Sequence, residues 1–257
     1  LFGSPAPLFR PRSIRDRDRS RDSYSLLLMG DDQQYREFFR LSKTTVLELR
    51  RMLWTSCEDV RRMYDPSRKL PYDGKKRVSL YDAIHMTLRY FDARNERNAG
   101  FSCGWARATT NKHVRFIVDQ ICTDAVYNTL VRFPADTDLD GIAQRFSDNA
   151  SGLPGVVGAI DGTHVPVSTR GLTIQEHYRN RKGWKSINMQ AICDHQCRFL
   201  DVFGPGAGSL HDATVYIKSN VPGWIEKLDP EYRIIGDAAY PESAHIWTPY
   251  NEHGVGV

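Results

Sequence analysis

The segment GVVGAIDGTHVPV, residues 155–167, constrains the fold more than any other part of the chain. Its apolar run has the length and the β-branched content of a strand that is buried on both faces. Asp161 follows this run at once, and His164 comes three residues later. A carboxylate directly after a buried strand is costly unless a partner neutralises it. The segment therefore predicts a central strand with a functional carboxylate at its edge.

A second apolar segment, YRIIGDAAY at residues 232–240, ends in the same way with Asp237. If the two strands are adjacent, both carboxylates lie at one sheet edge and repel each other. Mg²⁺ or Mn²⁺ relieves this repulsion, since Mg²⁺ binds a few protein carboxylates together with substrate phosphates. Phosphodiester cleavage by metal-activated water is the chemistry that follows. The spacing leaves a second interpretation open, in which each aspartate only caps the turn beside its glycine.

The C-terminal part of the chain alternates strands with one helix. Period and turn residues predict three strands, a short helix and a fourth strand, at residues 155–167, 186–194, 198–204, 211–219 and 232–240. This β-β-β-α-β order predicts an α/β fold with a mixed sheet and helices packed on it.

The rest of the chain predicts three further regions. Residues 1–30 begin with an Arg-, Asp- and Ser-rich stretch that has almost nothing to bury, so we expect a disordered tail. Residues 31–130 carry apolar residues at helical spacing and predict a helical domain. Residues 131–154 are bounded by prolines and predict a connector with a short helix. Residues 155–257 then form the α/β domain.

Within the helical domain, the first apolar stripe is predicted to run as far as Trp54. The stretch RNERNAGFSCGWAR, residues 94–107, joins the second and third predicted helices. A helix, a Gly-containing connection and a helix with basic residues near its start form the outline of a helix-turn-helix. Many helical hairpins share this outline, so DNA contact is one of two alternatives. The candidate helix starts are Ser42, Ser79 and Thr109 or Thr110.

The amino-acid composition excludes only a few classes of function. The formal net charge of +4 is too small to argue for a polyanionic partner by itself. Five scattered cysteines indicate a reducing compartment rather than a disulfide framework. No apolar run approaches the roughly 18 residues of a membrane span. Cys193, His195 and Cys197 have the spacing of a metal knuckle without a second cysteine pair, so a hairpin turn is the favoured interpretation.

Five segments follow one another in an order that resembles a known family. They are GLPGVVGAIDGTHVPV, YRNRKGWKSINMQAICD, GPGAGSLHDATVY, IIGDAAYP and WTPY. Together they resemble the PIF/Harbinger transposases and the nuclease group derived from them, within the DDE superfamily endonucleases. The resemblance covers about residues 35–250 and is specific over 153–250. It implies an RNase H-like core preceded by a helix-turn-helix domain, and hydrolysis of DNA phosphodiester bonds with Mg²⁺ or Mn²⁺.

The resemblance assigns roles to single residues. Asp161 resembles the first acid of the DDE triad and Asp237 the second, so both are implied to be catalytic and to bind metal. His211 and Asp212 match a His-Asp pair of the family at the start of a helix, where an N-terminal cap is the alternative. His164 either orients Asp161 or packs against its surroundings.

A basic run before the second strand is a candidate DNA contact. Its members are Arg179, Arg181, Lys182 and Lys185. Lysine and arginine at such a position bind DNA phosphates, and the alternative is a solvated loop. The resemblance also implies a nuclear location, alone or together with a cytoplasmic one, and a separate Myb-like partner protein.

One part of the family pattern does not match. The resemblance implies a third carboxylate, a Glu on a helix beyond WTPY, yet neither Glu242 nor Glu252 fits that place. We therefore expect an incomplete triad in this sequence, with weak DNA binding and little cleavage. Two hypotheses follow: a piece of a metal-dependent DNA endonuclease, or a domesticated transposase relic that binds DNA or protein without cleavage.

Overall fold

The structure is a computed structural model that describes residues 23–67, 77–149 and 152–249. The chain divides into two compact units, Leu1–Asn128 and Thr129–Val257. Each unit is described by itself. Most of the predicted N-terminal tail and Glu252 lie outside the described residues, and the predicted domain boundaries stay a prediction.

The first unit is helical throughout its described parts. Its helices are α1 (23–29), α2 (Asp32–Phe39), α3 (Lys43–Ser56), α4 (Glu58–Tyr64), α5 (Leu80–Ala93), α6 (Glu96–Ser102), α7 (Arg107–Ile121) and α8 (Asp124–Leu130), which continues into the second unit. The side chain of Ser42 accepts a hydrogen bond from the Thr45 amide at the start of α3. Ser79 and Asp82 form a reciprocal capping box at the start of α5. Both predicted serine caps are therefore confirmed.

The first predicted stripe does not extend to Trp54. Arg40 ends α2 in the left-handed conformation, with φ of 65°, and so separates α2 from α3. In α3 the buried side chains are Val46 and Leu53. Trp54 follows Leu53 by one residue, which turns it about 100° away on the helix, and it is 38% exposed.

The predicted connection at residues 94–107 contains a helix of its own, α6. Cys103–Ala106 then forms a four-residue turn, with Gly104 at φ of 72°, before α7 begins. The helix-turn-helix outline therefore falls on α6 and α7 rather than on α5 and α7. The predicted start of α7 at Thr109 or Thr110 is wrong. Thr110 is buried and its hydroxyl donates to the Ala106 carbonyl, one turn back in the helix.

A buried histidine organises the core of the first unit. His85 on α5 is 0% exposed. The Tyr24 hydroxyl contacts its Nδ1 at 3.0 Å and donates to Asp82 at 3.2 Å, and the Tyr35 hydroxyl contacts its Nε2. Tyr24 is 7% exposed. Residues 23–29 are helical, and Tyr24 belongs to the core of the first unit.

Acid is expected to destabilise the first unit through His85. Burial lowers the pKa of His85 to about 4, against the weaker raising effect of the Asp82 charge. A lowered folded-state pKa means that the stabilisation is complete above the unfolded value of about 6.5 and is lost as the pH falls toward 4. At pH 5 the expected loss in unfolding free energy is about 2 kcal/mol. Urea unfolding between pH 8 and pH 5, together with an NMR titration of the His85 ring, measures it. A ring that titrates near 6.5 in the folded protein would contradict the prediction.

The second unit has a mixed five-stranded sheet. Its elements are α9 (Asp136–Asn149), β1 (Val156–Pro166), a 3₁₀ turn (Gln175–Tyr178), β2 (Ser186–Cys193), β3 (Phe199–Ala207), α10 (Asp212–Lys218), α11 (Val221–Ile225), β4 (Arg233–Ile235) and β5 (Ile246–Trp247). The strand order is β3-β2-β1-β4-β5. β1, β2 and β3 pair antiparallel, whereas β1, β4 and β5 pair parallel. The α/β class and the β-β-β-α-β order are confirmed, and β5 is an addition.

The core of the second unit includes the predicted connector. Helix α9 is longer than the short helix predicted there, and it packs on β1. Its buried apolar side chains join those of the two parallel strands in one cluster, which includes Leu139, Ile142, Phe146, Val156, Val157 and Ile234. β1 is thus covered by helix and paired with a strand on each side, which fixes the position of the residues that follow its apolar run.

The turn between β2 and β3 is the predicted hairpin at residues 194–197. The Asp194 carboxylate accepts hydrogen bonds from the amides of Gln196 and Arg198 and pairs with the Arg198 guanidinium at 2.7 Å. This bonding explains the turn without a metal. The hairpin interpretation of the Cys193–Cys197 segment is confirmed.

Candidate active site

Asp161 and Asp237 lie at corresponding points of two adjacent parallel strands. The last pair between β1 and β4 is Ala159 with Ile235, and each aspartate follows its strand partner by two residues. The predicted adjacency of these strands is confirmed. The predicted strand at residues 155–167 is confirmed as well, because β1 continues beyond Asp161 to Pro166, where it is paired with β2 alone. The strand continues because β2 supplies a full ladder of hydrogen bonds there.

Each of the two carboxylates makes one local hydrogen bond. Asp161 Oδ1 accepts from the Gly162 amide at 2.7 Å, and Asp237 Oδ1 accepts from the Ala239 amide at 3.0 Å. The turn-capping role that the sequence left open therefore holds for Asp237, whereas Asp161 lies within β1. In the described part of the chain neither carboxylate pairs with a Lys, Arg or His, so the negative charge of both remains uncompensated.

Asp212, at the start of α10, lies beside the Gly162 position of β1, on the face opposite the Asp161 side chain. A Cβ atom placed on Gly162 would lie 2.4 Å from Asp212 Oδ1, so the carboxylate occupies the space that this glycine leaves beside β1. Asn188 on β2 donates to the same oxygen at 2.8 Å. Within residues 23–67, 77–149 and 152–249, Asp212 has no cationic partner either. Asp212 therefore contacts β1 and β2 as well as its own helix.

Tyr240 is a site residue that the sequence analysis missed. It is 4% exposed, and its hydroxyl is buried without a hydrogen-bond partner among the described residues. Burial raises the pKa of Tyr240, and the charges of Asp212, Asp161 and Asp237 raise it further. All three carboxylates therefore act on one hydroxyl. The sequence feature that could have indicated Tyr240 is its position three residues after Asp237. The two residues belong to one turn, in which the Tyr240 amide donates to the Asp237 carbonyl at 3.2 Å.

The two candidate supporting histidines do not join the carboxylates. His164 contacts the Ser186 hydroxyl through Nδ1 at 3.0 Å and packs edge-on against Trp184. It does not orient Asp161, because residues three apart on a strand point to opposite faces. His211 is the N-cap residue of α10, its side chain makes no capping bond, and it is exposed. The packing interpretation of His164 is the one that the contacts support.

The basic run divides into two pairs. Glu176 binds Arg179 at 2.7 Å and Lys185 at 2.6 Å. The hydrogen bond from Arg179, followed by that from Lys185, lowers the pKa of Glu176 to about 2. The side chains of Arg181 and Lys182 are exposed and have no partner in the part of the chain that the structure describes. Only Arg181 and Lys182 therefore keep an uncompensated charge for a ligand.

Carboxylate oxygens are suitable ligands for a hard cation. In this structure, however, the carboxylates do not converge on one position. Among the described residues no group of three His, Cys, Asp or Glu side chains is placed to hold one metal ion. Asp161 and Asp237 nevertheless offer the carboxylate oxygens that Mg²⁺ and Mn²⁺ select. These two residues therefore suit a divalent ion in chemistry, without a third such ligand gathered beside them in the described residues.

The segment that carries both aspartates matches a known family. Residues 160–255 match the family described as DDE superfamily endonuclease. This match includes both aspartates, and the resemblance to Harbinger-type nucleases stated from the sequence is confirmed.

Three curated proteins illustrate the similarity. The chain is 26% identical over 182 residues to the human protein named "Putative nuclease HARBI1", covering 70% of this chain and 51% of that protein. It is 25% identical over 182 residues to the rat protein of the same name, covering 69% and 50%. The Arabidopsis thaliana protein named "Protein ALP1-like" is 26% identical over 194 residues, covering 67% and 45%.

The chain spans about half the length of the curated relatives that it matches. No solved structure matches the chain. In the described residues, no helix combines the length and apolar character needed to cross a membrane.

Proposed function

We propose that this chain carries the core of a metal-dependent DNA endonuclease of the Harbinger type. The observation that carries the proposal is the placement of Asp161 and Asp237 two residues beyond the last pair of the parallel strands β1 and β4, where no Lys, Arg or His of residues 23–67, 77–149 and 152–249 pairs with either carboxylate. The family match over residues 160–255 supports it. The β1-β2-β3 antiparallel meander with β4 parallel to β1 supports an RNase H-like assignment of this sheet.

The residues of the chain have distinct roles in this proposal. Asp161 and Asp237 would hold Mg²⁺ or Mn²⁺. The amides of Gly162 and Ala239 each bond one carboxylate oxygen and so fix the direction of the other. When bound, such ions activate the attacking water and stabilise the leaving oxygen of a phosphodiester. A rigid sheet edge is suited to this task because the ligands need little reorganisation.

DNA would be held by exposed basic side chains in each unit. Arg181 and Lys182 form no ion pair with another described residue, and they precede β2, the strand beside β1. On α7, Lys112 and Arg115 are exposed and three residues apart, so they share one side of the second helix of the α6–α7 pair. We propose that this pair is a helix-turn-helix that contacts DNA phosphates. A nuclear location and a Myb-like partner protein belong to the same proposal.

Conversion of supercoiled plasmid to the nicked form tests the function. We expect slow nicking that requires Mg²⁺ or Mn²⁺, stops with EDTA and weakens as salt rises, because DNA binding depends on phosphate contacts. Asp161→Asn is the control for contaminating nucleases. Nicking that is equal in parent and control would contradict the proposal. Salt-sensitive DNA binding without any nicking would support the second candidate, a DNA-binding relic, which the absence of a preformed three-ligand group among the described residues favours.

A further inference from the structure

We propose that a cleft in the second unit binds the unpaired DNA strand next to the scissile phosphate. The inference rests on the proposed function and adds a binding site for the substrate strand. The cleft has a volume of about 600 Å³, within the usual range for ligand sites, and the residues that line it lie between positions 129 and 200. Its walls are the segment before α9, one side of α9, and the β2–β3 turn with the start of β3.

Arginine side chains surround this cleft. Arg132 and Arg145 line it, are exposed, and form no ion pair or hydrogen bond with another described residue. Arg198 binds Asp194 through Nε at 2.7 Å, so its guanidinium is oriented while 62% of the side chain stays exposed. Two amides of the turn also bind the Asp194 carboxylate, which leaves Asp138 as the exposed acid of the lining. The cleft therefore keeps an excess of positive charge, which suits phosphate groups.

An aromatic ring at the margin of the cleft offers a surface for a base. Phe199 begins the edge strand β3, is 52% exposed and makes no ring contact with another described residue. Phe133, in contrast, stacks on Trp224 at 4.1 Å and packs against the core. An exposed ring beside arginines is typical of sites for unpaired nucleic acid, because bases stack on the ring while cations contact the phosphates.

Gly141 leaves the floor of the cleft open. It lies inside α9, one helical turn from Asp138 and from Arg145, which line the cleft with it. Nothing lies within 4 Å of a Cβ added to Gly141, and its φ is not positive. Neither packing nor conformation in this structure therefore requires glycine here, although glycine weakens a helix relative to alanine. Close approach of a ligand to the helix backbone supplies a reason for it.

The cleft margin lies on the same face of the sheet as the Asp161 side chain. Residues that pair directly across neighbouring strands present their side chains to one face. Phe199 pairs with Cys193, and Cys193 pairs with Ala159. Asp161 follows Ala159 by two residues on β1 and so shares that face. Two strand spacings and two residues correspond to about 12 Å, so one DNA strand can contact both Phe199 and Asp161.

Fluorescence anisotropy of a labelled oligothymidine of about ten nucleotides, with the full chain in EDTA, tests the assignment. EDTA separates binding from any cleavage. We expect Phe199→Ala to weaken binding by about tenfold, as the loss of one stacked base does. Phe199→Tyr keeps a ring and should bind as the parent does. The same strand paired with oligoadenosine should bind more weakly, because its bases are already stacked on one another.

Arg145→Gln tests the phosphate contacts. We expect it to lower the slope of log affinity against log salt concentration by about 0.7, the value for one phosphate of a single strand. Lys227→Gln is the matched control, because Lys227 is an exposed cation of the same unit outside the cleft lining, without a side-chain partner among the described residues. Its slope should equal that of the parent. Equal slopes in all three proteins would exclude Arg145 from the site.

Gly141→Leu fills the floor of the cleft without removing a charge. We expect severalfold weaker oligothymidine binding together with a higher urea midpoint, because leucine favours a helix over glycine. A merely structural glycine would not separate the two readouts in this way. Gly223→Leu is the matched control, since Gly223 is an exposed glycine inside α11 with nothing within 4 Å of an added Cβ. It should bind as the parent does.

Each outcome decides the question. Parent-like affinity in both Phe199→Ala and Gly141→Leu, with plasmid nicking that depends on Asp161, would overturn the cleft and leave the proposed function intact. Oligothymidine binding that depends on Phe199, without any nicking, would support the cleft and overturn the proposed cleavage. A labelled polyglutamate peptide is the probe for an acidic protein segment. Phe199-dependent binding of this peptide in place of oligothymidine would overturn the assignment to DNA.

Discussion

Replacing either Asp161 or Asp237 with asparagine is expected to abolish the thermal stabilisation that Mg²⁺ or Mn²⁺ gives the parent protein. The two carboxylates lie beyond the last β1–β4 pair and have no cationic partner among the described residues, so an ion bound to the folded state would neutralise their charge. At a concentration of about 100 times Kd, such an ion stabilises by about 2.7 kcal/mol. For a unit of this size the shift in Tm is about 10 °C.

The control for this prediction is Asp229→Asn. Asp229 is an exposed aspartate of the same unit, and its Oδ1 accepts from the amide two residues on, as Asp237 does in its own turn. Differential scanning fluorimetry with and without metal measures all variants. A metal-induced shift that persists in Asp161→Asn or in Asp237→Asn would remove that residue from the site. A shift that also disappears in Asp229→Asn would show that general surface charge is responsible.

Gly155→Ala is expected to destabilise the sheet unit by about 3 kcal/mol or more, near the upper end for single substitutions. Gly155 has a φ of 70°, and an added Cβ would lie 2.0 Å from the Glu231 carbonyl oxygen. The backbone of Gly155 also accepts the Arg233 amide at 2.8 Å, which starts the pairing of β1 with β4. Relief of the clash would therefore pull apart the two strands that carry the aspartates.

Gly152→Ala separates the two causes of this loss. Gly152 has a φ of 82°, and nothing lies within 4 Å of an added Cβ. Only backbone strain of about 1 kcal/mol is expected there. Urea unfolding of both variants gives the comparison. Equal losses would show that the contact with Glu231 relaxes freely and that conformation alone requires glycine at position 155.

The strongest sequence predictions depended on short-range patterns. The apolar runs before Asp161 and Asp237 indicated two buried strands, because burial on both faces demands apolar side chains throughout. Ser42 and Ser79 indicated helix starts, because capping acts within three residues. Where the prediction failed, a distant contact was responsible. The sequence pattern placed Tyr24 in the predicted tail, but its hydroxyl contacts His85, which lies 61 residues away in the chain.

The same distinction between short-range patterns and distant contacts applies to the candidate active site. The amino-acid sequence alone determined which apolar runs end in a carboxylate, and from this the parallel pair and its two acids followed. Only the tertiary structure decided that Asp212 fills the space left by Gly162, that Asn188 binds it, and that the buried Tyr240 hydroxyl has no hydrogen-bond partner among the described residues. The physical reason is register. Hydrophobic period specifies which residues form a strand, but the contacts between strands and helices depend on pairings that a local pattern does not contain.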